Sequence, residues 1–296
     1  MADFLSVLVT GLLLGGIYGL ASIGLNLVFG VMRVVNFAHG ELIMVSMYAA
    51  WWLFATLGMD PYTAILIVVP LMFGFGVLLQ LALIQPLQSE HNMQLFATFG
   101  LLIMLQNIVL AATTGQAMSI DWRWARQVVS LGEINVSLVR LVAFIATTAI
   151  AIALHIFLRD TMPGKAIRAV IQDKRAARMM GINVERVHLL TFGAGAALAG
   201  LAGVMLAPIY TLTPAIGGDF IIAAFAVVVL GGLGSTWGSY IGGFVVGLVE
   251  SFAGYYIDPA LKQAIWFLIF LAVLVLKPSG LLGQVGAEEV GFREQH

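Results

Sequence analysis

Long runs of the chain carry no charge at all: Phe4 to Met32, Pro61 to Ser89 and Val187 to Gly218. Within them apolar residues are continuous rather than alternating every second position. Continuous runs of about 20 apolar residues predict helices that cross a bilayer, whereas a strand barrel needs alternation. Spans are predicted near 4–30, 39–57, 62–84, 95–114, 138–158, 187–207, 219–231, 239–256 and 260–276. The seventh is short, and Gly231–Gly234 (GGLG) leaves two readings open, a full crossing or a re-entrant half-helix. Irregular backbone at membrane depth survives only where protein or water satisfies its polar groups. The predicted fold class is an all-α polytopic membrane protein with about eight to nine transmembrane helices. Residues 1–296 read as one membrane domain, interrupted by a polar loop at 159–186 and ending in a tail at 278–296.

That loop, RDTMPGKAIRAVIQDKRAARMMGINVER, holds seven of the chain's 14 Lys and Arg: Arg159, Lys165, Arg168, Lys174, Arg175, Arg178 and Arg186. Only Asp160, Asp173 and Glu185 oppose them. Cytoplasmic loops of membrane proteins carry the excess of Lys and Arg. The loop is therefore placed inside, which puts the N-terminus outside, Lys277–His296 inside and the hydrophilic stretch Gly115–Ser137 outside as an amphipathic segment. Pro163 suits the first turn of a helix, and Gly181 suits its stop. Between them Ile167, Val170, Ile171, Ala177, Met180 and Ile182 form a rough helical stripe, with most charges elsewhere. Small Ala166, Ala169, Ala176 and Ala177 would let a partner's groove close around such a helix. A helix lying on anionic headgroups is the alternative.

Composition agrees with the pattern. Hydrophobic residues make up 61% and charged residues 10%, against roughly 25% charged in a soluble domain. There is no cysteine, which excludes a disulfide framework and thiolate metal sites. The N-terminal MADFLSVL lacks the basic n-region of a signal peptide, so Phe4 onward reads as a retained span. Of the 33 glycines, several recur every four residues: Gly11, Gly15 and Gly19; Gly238 and Gly242; Gly243 and Gly247. Small residues at that spacing let helix backbones approach closely, either within one bundle or at a sliding or inter-subunit face.

No enzyme constellation is present: no Walker loop, no HExxH, no GxSxG and no metal-spaced histidine cluster. Two polar motifs remain. In VVNFAHGE (Val34–Glu41), Asn36 is expected to cap the following helix, with His39 and Glu41 in its first turn, where the dipole favours a carboxylate. This is either a capped helix start or a polar element at the inner mouth of a pathway. In LGGLGSTWGSYIGG (Leu230–Gly243), Gly231, Gly232 and Gly234 free the backbone for a tight turn or a gate. Asn26, Gln106, Asn107 and Glu250 are polar residues inside spans, and Glu250 is expected near an outer end.

The segments VVNFAHGELIMVSMY, GKAIRAVIQDKRAARMMGINVERV, VVLGGLGSTWGSYIGG and LVLKPSGLLG resemble the LivH-type permeases of bacterial branched-chain amino-acid ABC importers, collinearly from about Gly11 to Gly283. The resemblance implies an inner-membrane permease subunit without enzymatic activity. Its implied partners are a LivM-like second permease, two cytoplasmic ABC ATPases, a periplasmic solute-binding protein and membrane lipid, with no nucleic acid. It implies no cofactor on this chain, ATP being held by the ATPase subunits. Lys165–Ile182 becomes a coupling helix seated in an ATPase groove, with Lys165, Arg168, Ala169, Asp173, Lys174, Ala176, Ala177, Met180 and Gly181 as its contacts. Asn36, His39, Glu41, Gly231, Gly232 and Gly234 are the candidate pathway or gate residues. Related systems import urea, short amides or aromatic acids, so the resemblance is less specific for the solute. A stand-alone channel or secondary transporter would need more intramembrane ionisable residues than this chain has.

Overall fold

A computed structural model describes residues 2–88, 90–131, 134–277 and 280–281. Helices stand on all nine predicted apolar stretches. They are α1 (Ala2–Met32), α2 (His39–Leu57), α3 (Ile65–Leu79), α4 (His91–Thr113), α5 (Leu138–Asp160), α8 (Val184–Leu206), α9 (Ile216–Gly231), α10 (Thr236–Tyr256) and α11 (Lys262–Leu276). Between α5 and α8 lie α6 (Met162–Gln172) and α7 (Lys174–Met179). Among the described residues six helices are long and apolar enough to cross a membrane, and up to seven spans result if α9 and α10, bent by 118°, count as one. The chain is thus a multi-pass, all-α membrane protein. Most of the tail at 278–296 falls outside the described residues.

The bundle is built around α1 and α8, whose apolar windows are 61% and 78% buried, against 17% for α4 at the periphery. Glycine spacing explains the tightest crossing. An added methyl at Gly15 would fall 2.7 Å from Phe244 Cα, and one at Gly247 2.5 Å from Gly15 Cα. The recurring glycines of α1 therefore serve antiparallel packing on α10 within this chain, one of the two uses expected of them. Helix α3 passes Pro70 and continues beyond Leu79 through a π turn, Gln80–Ile84, and a short 3-10 turn, Gln85–Leu87.

The stretch between α4 and α5 departs from expectation. It contains β1 (Val128–Leu131) and β2 (Ile134–Ser137), an antiparallel pair with Val129 opposite Val136, rather than one amphipathic segment. Alternating Val, Ser, Leu, Ile and Asn at 128–137 suits a pleated ribbon better than a helix. Met118 and Leu212 exchange both backbone hydrogen bonds, at 2.9 and 2.8 Å, and so tie this cover to the α8–α9 connection.

The polar loop is also not one helix. Asp173 adopts an extended conformation, and its side chain accepts from the N–H groups of Arg175 and Ala176 at 2.8 and 2.9 Å. An N-cap carboxylate offers those donors a partner that a continuous helix would not, so α6 stops and α7 starts. Thr161 caps α6 by accepting from Gly164 N–H, Pro163 stands in its first turn, and Asn183 caps α8. Gly181 adopts a left-handed φ of 82°, fitting its role as a stop.

Candidate functional sites

The first site is a polar layer inside the bundle. Asn26, within two turns of the end of α1, is 1% exposed and holds the turn between α9 and α10. Its amide donates to Ser239 Oγ at 2.6 Å and to the carbonyls of Ser235 and Gly232 at 2.9 and 3.3 Å, while Gly234 N–H donates to its Oδ1 at 2.7 Å. Gly232 and Gly234 both have positive φ, 108° and 83°, a turn that non-glycine residues resist. The glycine turn thus draws its hydrogen bonds from a residue that the sequence showed only as an isolated polar side chain. An Asn facing a Gly-rich turn was the available signal.

The VVNFAHGE motif sits deeper than a loop at the end of α1 should. Arg33 reverses the chain with φ 59°, and residues 33–38 run back along the bundle. His39 Nε2 then lies 2.9 Å from the Ala21 carbonyl. A carbonyl only accepts, so Nε2 carries the proton. Ala21 precedes Met32 by eleven residues, so α2 starts about 16 Å short of the end of α1 at 1.5 Å per residue. Asn36 is not the N-cap; Ala38 is, and Asn36 Oδ1 accepts from Ala38 N–H at 3.1 Å to fold the return segment. Asn36, His39 and Glu41 are all buried, while Phe37 points outward against Phe99.

Glu41 packs on the start of α9. A methyl added at Gly217 would fall 2.5 Å from the Glu41 carboxyl, and Glu41 Oε2 has no hydrogen-bond partner among the described residues. The two polar motifs therefore occupy opposite ends of a single short helix. Glu41 and Gly40 meet its first residues, and Asn26 clamps the turn after its last. Helix α9 is a 16-residue strut between them.

Nearer the opposite end of α10, Glu250 receives Lys262 Nζ at 2.8 Å and is buried rather than solvated. Tyr18 and Tyr210 share a hydrogen bond of 3.0 Å beside it. Asn107 bonds to the Ile103 carbonyl of its own helix, as a polar side chain exposed on a helix does.

The second site is the α6–α7 platform. Ile167, Val170 and Ala177 are buried against the bundle. Ala177 therefore cannot face a partner's groove, and Ala166 and Ala169 pack partly inward beside it. Ala166, Ala169 and Ala177 fit this helix to its own chain, which corrects the expectation drawn from them, while Ala176 stays half-buried. Lys165, Arg168, Asp173, Lys174, Arg175, Arg178 and Gly181 are exposed. So are Met162, Met179 and Met180, at 80%, 82% and 82%. Met180 accordingly leaves the apolar stripe. Arg178 and Glu185 pair at 2.7 Å in the open, where such pairs contribute little.

The chain matches the family described as branched-chain amino acid transport system, permease component, over residues 7–274. It belongs to that family. The permease protein LivH of Salmonella typhimurium is 33% identical over 303 residues, covering 97% of this chain and 98% of that protein. LivH of Escherichia coli K12 is equally similar, and BraD of Pseudomonas aeruginosa is 31% identical over the same shares. The ribose import permease RbsC of Haemophilus influenzae is 25% identical over 78% of this chain. No solved structure matches. The permease is thus a membrane transport component, and its buried polar layer and its exposed platform are features of a permease.

Proposed function

We propose that this permease forms one half of the membrane pathway of a binding-protein-dependent, ATP-driven importer for branched-chain amino acids or similar small amino-acid-like solutes. The observation that carries the reading is the platform. Helices α6 and α7 are capped, anchored by a buried apolar face, and present cations and methionines outward. Methionine is soft and adaptable at docking surfaces. One of two ATPases docking there would move the platform when ATP brings the pair together. A LivM-like permease would complete the pathway, and a periplasmic binding protein would deliver the solute.

In this reading α9 transmits the movement. It begins at Glu41 and ends at the Asn26 clamp, so a shift of the bundle's basic end tilts it against α2. The pathway itself binds weakly, since release requires weak contacts, and the binding protein carries most of the selectivity. The ribose permease among the relatives fits a common membrane part serving different solutes.

The basic platform lies in the cytoplasm and residues 115–137 face outward. The chain has no cysteine, so single cysteines at Gln127 and Gln172 report orientation cleanly. An impermeant thiol reagent applied to intact cells should label the first and spare the second. Loss of the permease should abolish high-affinity uptake of radiolabelled leucine, isoleucine and valine. Undiminished aliphatic uptake with lost uptake of urea or an aromatic acid would move the assignment to that solute. Undiminished uptake of all of them would refute it.

A further inference from the structure

A cavity of about 580 Å³ opens where the last turns of α1 and α5, helix α6 and the α9–α10 turn converge. Arg33, Arg159, Arg168 and His155 line it, together with Ser235 and Trp237. Among the described residues the lining contains three guanidinium groups and no carboxylate. Asp160 approaches Arg159 only at 3.6 Å, with both side chains more than 60% exposed, a weak pairing in solvent. Arg168 donates to the Arg159 main-chain carbonyl at 2.9 Å, which holds two of the three side chains on one wall.

We infer that this cavity binds the phosphate of an anionic phospholipid headgroup. Guanidinium forks match phosphate oxygens in pairs. A zwitterion such as an amino acid or an ethanolamine headgroup would need an acceptor for its ammonium, and the lining offers no carboxylate. Position argues for a lipid over a soluble phosphate. The cavity lies at helix ends, where Trp and Arg mark the membrane interface. The rings of His155 and Trp237 stand 5.2 Å apart between α5 and α10. Beside the cavity on the bundle's apolar surface, Ile152 and Ile156 of α5 and Ile241 of α10 are 44%, 52% and 42% exposed. Acyl chains would lie on that strip with the phosphate in the cavity, whereas a soluble phosphate has no use for it.

The bound headgroup would touch both the turn that Asn26 holds and the platform helix α6. It would therefore brace the platform against the bundle. Basic pockets between transmembrane helices bind anionic headgroups by this physics. Headgroup binding requires only that this end of the bundle meets a membrane surface, whatever solute is carried.

The purified permease, stripped in neutral detergent, should retain phosphatidylglycerol over phosphatidylethanolamine in native mass spectrometry. Arg159→Gln with Arg168→Gln should weaken that retention roughly 30-fold, taking about a tenfold change per 1.4 kcal/mol and the usual worth of a membrane-surface cation. Arg159→Lys with Arg168→Lys should restore part of it. Phosphatidylglycerol should also raise the melting temperature of the wild type, and millimolar inorganic phosphate or glycerol phosphate should not. An equal shift from soluble phosphates would overturn the lipid in favour of a free phosphate. Equal retention by wild type and the glutamine pair would overturn the site. Should the pair not fold, wild-type retention without preference between the two lipids overturns it equally.

Discussion

The backbone N–H of Gly234 donates to Asn26 Oδ1 at 2.7 Å across 208 positions of sequence. The two N–H groups of the Asn26 amide, shared among Ser239 Oγ and the carbonyls of Ser235 and Gly232, join this bond in tying one buried side chain to one glycine turn. Replacement by Leu keeps the volume and removes all four bonds. Each buried group left unpaired costs about 1–3 kcal/mol. Asn26→Leu should therefore lower the melting temperature of the detergent-purified permease well below that of a control such as Asn107→Leu. Asn26→Asp keeps the acceptor for Gly234 but sets a carboxylate against two carbonyls, and should be at least as damaging. Wild-type melting in Asn26→Leu would show that the turn holds itself.

Glycine positions separate into those that carry a backbone crossing and those that do not. At Gly40 an added methyl would overlap the Gly217 carbonyl and lie 2.8 Å from Ile221 N. Backbone cannot yield as a side-chain tip does, and overpacking costs about 1–3 kcal/mol or more. Gly74, exposed in α3, meets nothing within 4 Å. Gly40→Ala should reduce folded yield, measured by fluorescence-detected gel filtration. Gly74→Ala should match the wild type or gain about 0.5–1 kcal/mol from helix propensity. Equal yields would mean α2 and α9 can part freely.

Continuous apolar runs located all nine apolar helices, because in lipid each backbone group must bond within its own helix. The return of residues 33–38 was hidden, because Val34 and Val35 look like the end of a span whether the chain leaves the bundle or turns back into it. The break at Asp173 had a signal, an acidic residue followed by Lys174, Arg175, Ala176 and Ala177, which is an N-cap before good helix formers. Helical periodicity running through it masked that signal. The inward face of Ala177 was not legible either, since a small residue fits a neighbouring chain and its own bundle equally well. Where Asn26 reaches is a tertiary fact, set by how α1 lies on α10.

Glu41 tests whether the α2–α9 contact gates transport. Glu41 is 1% exposed, and its Oε2 is unpaired among the described residues. Glu41→Gln preserves shape and removes the charge. A residue acting only through the dipole at a helix start would lose about 0.3–1 kcal/mol, too little to change abundance visibly. The expected result is normal abundance with a several-fold fall in binding-protein-stimulated ATP hydrolysis and uptake. Normal uptake and normal stimulation would return Glu41 to a packing role.

The platform offers the last test, and burial decides which residue to change. Ala177→Trp would confuse docking with folding, because Ala177 is 4% exposed and lies against the bundle. Met179 and Met180 are each 82% exposed and do not hold the fold. A carboxylate there would be solvated in the free permease at little cost. Buried in a partner's groove it would cost several kcal/mol unless paired. Met179→Glu with Met180→Glu should therefore leave insertion, melting temperature and gel-filtration profile unchanged while the ATPase subunits no longer co-purify. The conservative pair Met179→Leu with Met180→Leu should keep them bound. Normal co-purification of the glutamate pair would mean that this end of α7 stays in solvent in the assembled transporter. The contact would then have to run through α6, where Lys165 and Arg168 are exposed.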